Sequence, residues 1–256
     1  MIAAGFAAAL NLKPKFLEGL STADRNVILA AATRRRFLVK SVVVHQGDPA
    51  ERVFLLIKGR ARFFFITQTG RKILLHWLLP GDVFGGAAIL SRPSHYLVST
   101  ETLKDSSVLA WDRTTIRGLG ARYPKLLDNA LLIAFDYFAW HLAAHVALTC
   151  HTARQRLAQA LVSLAESIGE EVPSGIELDV TNEEVANAAN VTPFTASRLF
   201  SGWQRSGVLT KSRGKILLHS RNGLLRLKTG RGRSAGLSRL RDRSPLVEVS
   251  DPSALM

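Results

Sequence analysis

Four glycines, Gly47, Gly59, Gly70 and Gly81, recur at intervals of 12, 11 and 11 residues. Between and beside them lie the runs Val42-Val43-Val44, Val53-Phe54-Leu55-Leu56-Ile57, Phe63-Phe64-Phe65-Ile66 and Ile73-Leu74-Leu75-His76-Trp77-Leu78. Such β-branched, aliphatic and aromatic runs fit a pleated, half-buried surface, and the glycines punctuate them as turns. Short strands at this regular spacing predict an antiparallel barrel, sandwich or roll. Further strands are expected near Tyr96–Glu101 and Ser106–Trp111. Ahead of them, Ser21 with Asp24 is close to a capping box and opens a helix that carries apolar residues through Ala32. Arg34-Arg35-Arg36 is read as the cationic end of that helix.

After Pro124 the pattern turns helical for about 25 residues, which at 1.5 Å per residue is about 38 Å. Leu127, Leu131, Ala134, Phe138, His141, His145 and Leu148 fall on one 4-3-4-3 stripe, and Phe135, Leu142 and Val146 on a neighbouring face. A helix apolar on two faces packs against two things. Its own domain is one; the same helix of a second subunit, in a parallel coiled coil, is expected to be the other. His141 and His145, one turn apart, read as polar residues that fix the register of that seam. A shared metal or an axial haem ligand is the rarer reading, and no third ligand stands out. The segment is interrupted by Asp128, Asn129, Asp136, His141 and His145, which a lipid-exposed span would not tolerate cheaply. Ile2 to Leu10 is apolar but lacks the basic residues that precede a signal-peptide core, and reads as a short helix or loose end. A soluble cytoplasmic protein with no membrane partner is expected.

Composition narrows the function. The 256 residues are 47% hydrophobic, enough for a sizeable core, and carry a formal net charge of +14. That excess points to a polyanionic partner, nucleic acid or an anionic membrane surface. The long helix lacks the basic amphipathic face that the second would need. Cys150 is the single cysteine, which excludes an internal disulfide framework, a Cys-ligated zinc site and a four-cysteine iron–sulfur cluster. At the end of the long helix it could also serve as a redox-sensitive thiol, although lone cysteines are mostly buried and inert. No phosphate-binding Gly-rich motif, metal-ligand cluster or nucleophile–base pair marks an enzyme.

Thr181-Asn182-Glu183-Glu184 is a capping box that opens a short helix bearing Val185, Ala186 and Ala189. Asn190 sits at a turn, Thr192 can cap the next helix, Pro193 suits its first turn, and Phe194 to Trp203 continues it. This is helix-turn-helix spacing. From Arg198 to Arg233 there are ten Lys or Arg residues and no Asp or Glu. Lys211-Ser212-Arg213-Gly214-Lys215 followed by Ile216-Leu217-Leu218 reads as a hairpin with a basic tip, suited to phosphates. The start of the second helix enters the major groove in such motifs, which nominates Phe194, Thr195, Ser197 and Arg198. Arg198 can grip guanine or a phosphate, Ser197 a base or the backbone, and Phe194 a thymine methyl unless it is packed in the core. Thr181 and Thr192 are expected to cap helices or touch phosphate.

Taken together, Val53 to Gly59, Leu79-Pro80-Gly81-Asp82-Val83-Phe84-Gly85, the long helix after Pro124 and Ala196-Ser197-Arg198-Leu199 resemble the CRP/FNR family of bacterial transcription regulators. The likeness runs from about Phe16 to Leu225. It implies an α+β chain: an N-terminal antiparallel β-roll of the cyclic-nucleotide-binding type over 1–122, a dimerisation helix over 123–149, and a winged helix-turn-helix over 150–225. A basic tail over 226–256, with Lys228 to Met256 read as largely disordered, completes it. It also implies a homodimer on double-stranded DNA, an inverted-repeat operator and contact with RNA polymerase. In cyclic-AMP-binding relatives a Glu follows the Phe-Gly pair and an Arg about ten residues on pairs with the phosphate. Here Gly86 and Tyr96 stand at those places, with Arg92 and His95 nearby. Losing a charge-assisted arginine–phosphate pair argues against cyclic AMP. Gly85, Gly86, Ala87, Ala88 and Tyr96 therefore outline either a pocket for an unknown small-molecule effector, an anion at a helix start included, or an unused one. No metal, haem or other cofactor is expected. On the reading helix, Pro193 and Phe194 replace the family's usual Glu, so the usual half-sites are not assumed. The competing reading is a cyclic-nucleotide-binding-like regulatory subunit acting through protein contacts.

Overall fold

A computed structural model describes residues 12–219 apart from residue 71, and the expectations for Ile2–Leu10 and for the basic tail lie outside the described residues. The N-terminal part is built from eight strands: β1 (Thr33–Phe37), β2 (Val42–Val44), β3 (Arg52–Lys58), β4 (Ala61–Ile66), β5 (Lys72–Leu78), β6 (Val83–Phe84), β7 (Ser99–Thr102) and β8 (Ser106–Asp112). They form two antiparallel sheets of order β1-β8-β3-β6 and β2-β7-β4-β5. β3 is the central strand, buried from Val53 through Ile57 on both faces, which is why its sequence is an unbroken apolar run. Phe54 stacks on Phe84 with centroids 4.9 Å apart. Gly59 turns the chain from β3 into β4 at φ 97°, and a Cβ there would lie 2.3 Å from Ser106 Oγ, so no other residue fits. Trp111 is fully buried, and its indole donates to the Ile28 carbonyl at 2.7 Å. Truncating it to alanine would cost about 3–5 kcal/mol.

Helix α1 (Thr22–Ala30) is capped as expected, with Ser21 accepting from the Asp24 backbone N–H. It stops earlier than its sequence suggests. Ala31 closes the last turn by donating to the Val27 and Leu29 carbonyls. Arg34, Arg35 and Arg36 are therefore not a helix end: they lie on exposed edge strand β1, in register with Leu109, Val108 and Ser107 of β8. Strand pairing with a buried neighbour overrides the local cue. A second helix that hydropathy had not marked, α2 (Arg113–Arg122), follows β8 and is capped by Asp112.

Helix α3 runs Pro124–Cys150, 27 residues, with Pro124 in its first turn. By length and composition alone it could cross a membrane. Its end nearest Pro124 packs on the roll. Leu126 and Asn129 are buried, Ala130 and Ile133 pack on the roll, and Tyr137 meets the Phe63 ring edge-on at 5.6 Å. The Asn129 amide donates to the Phe16 and Glu18 carbonyls, and Lys15 pairs with Asp136 at 2.9 Å. The face turned to the roll is thus neither of the two apolar rows picked out from the sequence. Both of those rows are exposed in the single chain: Leu131 at 70%, Phe135 at 66% and Phe138 at 63%.

The C-terminal part comprises α4 (Ala153–Ile168), β9 (Glu170–Val172), β10 (Gly175–Leu178), α5 (Asn182–Ala188), α6 (Pro193–Arg205), β11 (Leu209–Ser212) and β12 (Lys215–Leu218), with sheet order β11-β12-β10-β9. Its core includes Leu157, Leu161, Val185, Phe200 and Trp203. Trp77 of β5 is buried in this cluster rather than in the roll. Arg60 lies over the Trp77 ring at 5.2 Å and donates to the Asp179 carbonyl at 2.9 Å, while Lys104 pairs with the Asp179 carboxylate.

Candidate nucleic-acid interface

Local chemistry places the two helices of the motif. Thr181 accepts from the Glu184 backbone N–H, and Glu184 accepts from the Thr181 N–H, completing the box that starts α5. Val185, Ala186 and Ala189 are buried beneath it. Asn190 takes φ 48° at the turn, and the Val191 N–H returns to the Ala186 carbonyl at 3.0 Å. Thr192 then caps α6 by accepting from the Thr195 N–H. The two threonine hydroxyls are 2.9 Å apart, and both are engaged in the cap. The inner face of α6 is Ala196, Phe200 and Trp203, all buried.

Its outer face is free. Phe194 is 76% exposed, which excludes core packing for it, and Ser197 and Arg198 are exposed beside it. Ser201 and Arg205 continue the same exposed face. They were missed in the sequence, where the signal was their i+4 spacing from Ser197 and Ser201. Thr195 is half-buried and less available than its neighbours.

The basic hairpin forms as expected. β11 and β12 pair from Leu209↔Leu218 to Ser212↔Lys215, leaving Arg213-Gly214 as a two-residue turn, with Gly214 at φ 75°. The three cations there are not equivalent. Arg213 is exposed at the tip. Lys211 is half-buried, with its ammonium 5.4 Å from the Phe200 ring centre. Lys215 is paired with Glu177 of β10 at 2.5 Å, and that carboxylate raises its pKa. A third residue not singled out from the sequence, Arg156 of α4, donates to the carbonyls of His151, Ala189 and Asn190. It ties the hinge after α3 to the turn of the motif. Cys150 ends α3, exposed, with Thr149 Oγ1 3.5 Å from its sulfur.

On the roll, Gly85 to Ala88 do not open an α-helix. Gly86–Ile89 is a short 3₁₀ turn with Gly85 at its start. Ala88 is buried and Gly86 exposed. Tyr96 points inward: its hydroxyl donates to the Arg52 carbonyl and accepts from the Arg52 N–H, each at 3.0 Å. Arg92 and His95 are exposed. Among the described residues no group of three or more His, Cys, Asp or Glu is placed to hold a metal ion.

Comparison with known proteins agrees with this architecture. A family profile described as a cyclic nucleotide-binding domain matches residues 34–123, and one described as a Crp-like helix-turn-helix domain matches residues 155–227. The chain is 22% identical over 226 residues to an anaerobic regulatory protein of Bacillus subtilis, covering 84% of this chain and 92% of that one. It is 26% identical over 199 residues to the cyclic AMP receptor protein of Thermus thermophilus, covering 77% and 89%. Among solved structures, the c-di-GMP responsive global regulator CLP of Xanthomonas campestris superposes with a TM-score of 0.70 at 18% identity, over 78% of this chain and all of that one. FixK2 of Bradyrhizobium japonicum superposes with a TM-score of 0.67 at 22% identity, over 80% and 99%. With a sensor-type β-roll, a long connecting helix and an exposed, basic winged helix-turn-helix in this order, the chain belongs to the CRP/FNR family of DNA-binding transcription regulators, which are not enzymes.

Proposed function

We propose that this regulator binds an inverted-repeat operator as a homodimer. The observation that carries the reading is the α6 surface: Phe194, Ser197 and Arg198 stand free of the core, and Arg213 is exposed at the tip of the hairpin that follows. Arg198 can reach a guanine edge and Phe194 a thymine methyl, while Arg213 and Lys211 meet phosphates. Pairing of subunits through α3 is supported by its uncovered rows. Leu131 and Phe138 of the first stripe and Leu142 of its neighbour would otherwise face water, and His141 and His145 sit in the first stripe. Two reading helices would then lie roughly 34 Å apart, one turn of DNA.

Cyclic AMP is disfavoured as the effector, because Tyr96, uncharged, stands where the relatives' arginine is, and its one hydroxyl donor is taken by the Arg52 carbonyl. The regulator acts with another small effector or with none, and without a metal, haem or iron–sulfur cofactor. RNA polymerase is the expected protein partner and the cytoplasm the expected compartment. Selection of bound sequences from a random duplex pool, with and without cell extract, tests the proposal. Recovery of an inverted repeat supports it, and recovery of no consensus, or of an unrepeated one, contradicts it.

A further inference from the structure

A cavity of about 300 Å³ lies between the roll and the inner face of α3, apart from the Gly85–Ala88 turn. His76 of β5, Asp82 of the β5–β6 turn, and Tyr137 and Trp140 of α3 line it, and the Lys15–Asp136 pair is at its rim. The His76 ring meets Tyr137 edge-on at 5.0 Å and Trp140 at 5.1 Å. One Asp82 oxygen accepts from the Leu79 N–H at 2.8 Å. Asp82 makes no ion pair within 4 Å among the described residues; burial pushes its carboxyl up, against the opposing pull of the Leu79 hydrogen bond and the Lys15 charge. Burial also holds His76 neutral, with a pKa of about 4. Within the described residues the Tyr137 hydroxyl and the His76 ring nitrogens make no hydrogen bond. An aromatic wall of this size beside a buried carboxylate with no direct ion pair selects a small flat ligand that brings positive charge. An anion would meet Asp82 and Asp136, with Lys15 the only cation in the lining and already paired with Asp136.

We propose that this cavity binds a small planar organic cation, a ring bearing an amidinium, guanidinium or ammonium group, with its charge on Asp82 and its ring against Trp140 and His76. This rests on the regulator reading above only for its consequence. Successive residues of a strand point to opposite faces. His76 faces the cavity, while Trp77, one residue on, is buried in the C-terminal core under Arg60, which donates to Asp179, two residues before the Thr181 cap. A ligand that fixes His76 therefore acts on β5, the strand that grips the DNA-binding part.

Benzamidine is the probe, titrated into the full chain by calorimetry and tryptophan fluorescence, with benzoate as the charge-reversed control. Saturable benzamidine binding is expected, with none for benzoate. Asp82→Asn keeps the Leu79 hydrogen bond and should weaken binding at least about tenfold, as loss of a charge-assisted contact does. Trp140→Leu, at a half-exposed position, should weaken it as well and serves if the first variant does not fold. No saturable binding at millimolar benzamidine, equal binding of benzoate, or undiminished binding by both variants overturns the site. A duplex-binding assay with benzamidine present should show altered affinity, and an unchanged affinity with the probe bound would overturn the coupling through Trp77. Because the ligand is titrated into the chain alone, failure of this site leaves DNA recognition standing, and failure to bind DNA leaves the site standing.

Discussion

Arg198 and Lys215 show how residues that look alike in the sequence differ in the fold. Arg198 is exposed on the outer face of α6, close behind the N-terminal turn proposed to enter a groove. Arg198→Ala should weaken binding to the selected operator by about 1–3 kcal/mol and leave binding to random duplex nearly unchanged. An equal loss on both, measured by fluorescence anisotropy, would make it a phosphate contact. Lys215 already holds Glu177. Replacing Arg213 or Lys211 should therefore flatten the salt dependence of binding by about one unit of log–log slope each, and replacing Lys215 by less. The counter-charge was not legible in the sequence, since Glu177 is 38 residues away and meets Lys215 only through the β10–β12 pairing. His76 brings a pH dependence. Its pKa is lowered to about 4 by burial first and His141 second, with Tyr137, Trp140 and Asp82 around it. The unfolded chain binds the proton near pH 6.5 and the folded chain only near pH 4, so the His76 contribution to stability falls as pH drops through that window, by on the order of 3 kcal/mol. Denaturant unfolding of His76→Gln across the same range should lose that component.

Elements whose ends are marked by capping chemistry were legible from residue types alone. Thr181 with Glu184, Asn190 and Thr192 with Pro193 sit where their side-chain chemistry requires, and so does the β11–β12 hairpin around Arg213-Gly214. Elements decided by distant partners were not. Arg34 to Arg36 carry a strong helix-end signal, yet β8 recruits them as an edge strand. The inner face of α3 was hidden because Asn129, a polar residue, is among its most buried positions, satisfied by Phe16 and Glu18 carbonyls more than 100 residues earlier. The apolar rows left over are what a second copy would cover. Leu131→Glu with Phe138→Glu should turn the dimer into monomers in sedimentation and cut operator affinity, with little change in the unfolding of the roll, because both side chains are exposed in the single chain. Persistence of the dimer in that variant would place the subunit contact elsewhere.

At the scale of the molecule, two sets of contacts among the described residues join the roll and the DNA-binding part. One is the α3–α4 hinge, where Arg156 links His151 to the turn of the motif. The other is the Trp77–Arg60–Asp179–Lys104 cluster. Asp179→Asn should lower the cooperativity between the two parts, seen by calorimetry as a broadened or split transition, because Asp179 balances two cations from the roll. The division into a roll, a long helix and a winged motif was readable from the order of the patterns. Which strand of the roll touches the motif was not, because Trp77 belongs to β5 in sequence and to the other core in space. The central claim, two reading helices held one DNA turn apart by symmetry, is tested most directly by inserting about five base pairs between the half-sites of the selected operator, which turns them to opposite sides of the duplex. The account predicts that two subunits bind the parent duplex cooperatively and that the insertion lowers affinity to that of a single half-site. Unchanged affinity and stoichiometry on the expanded duplex would contradict it.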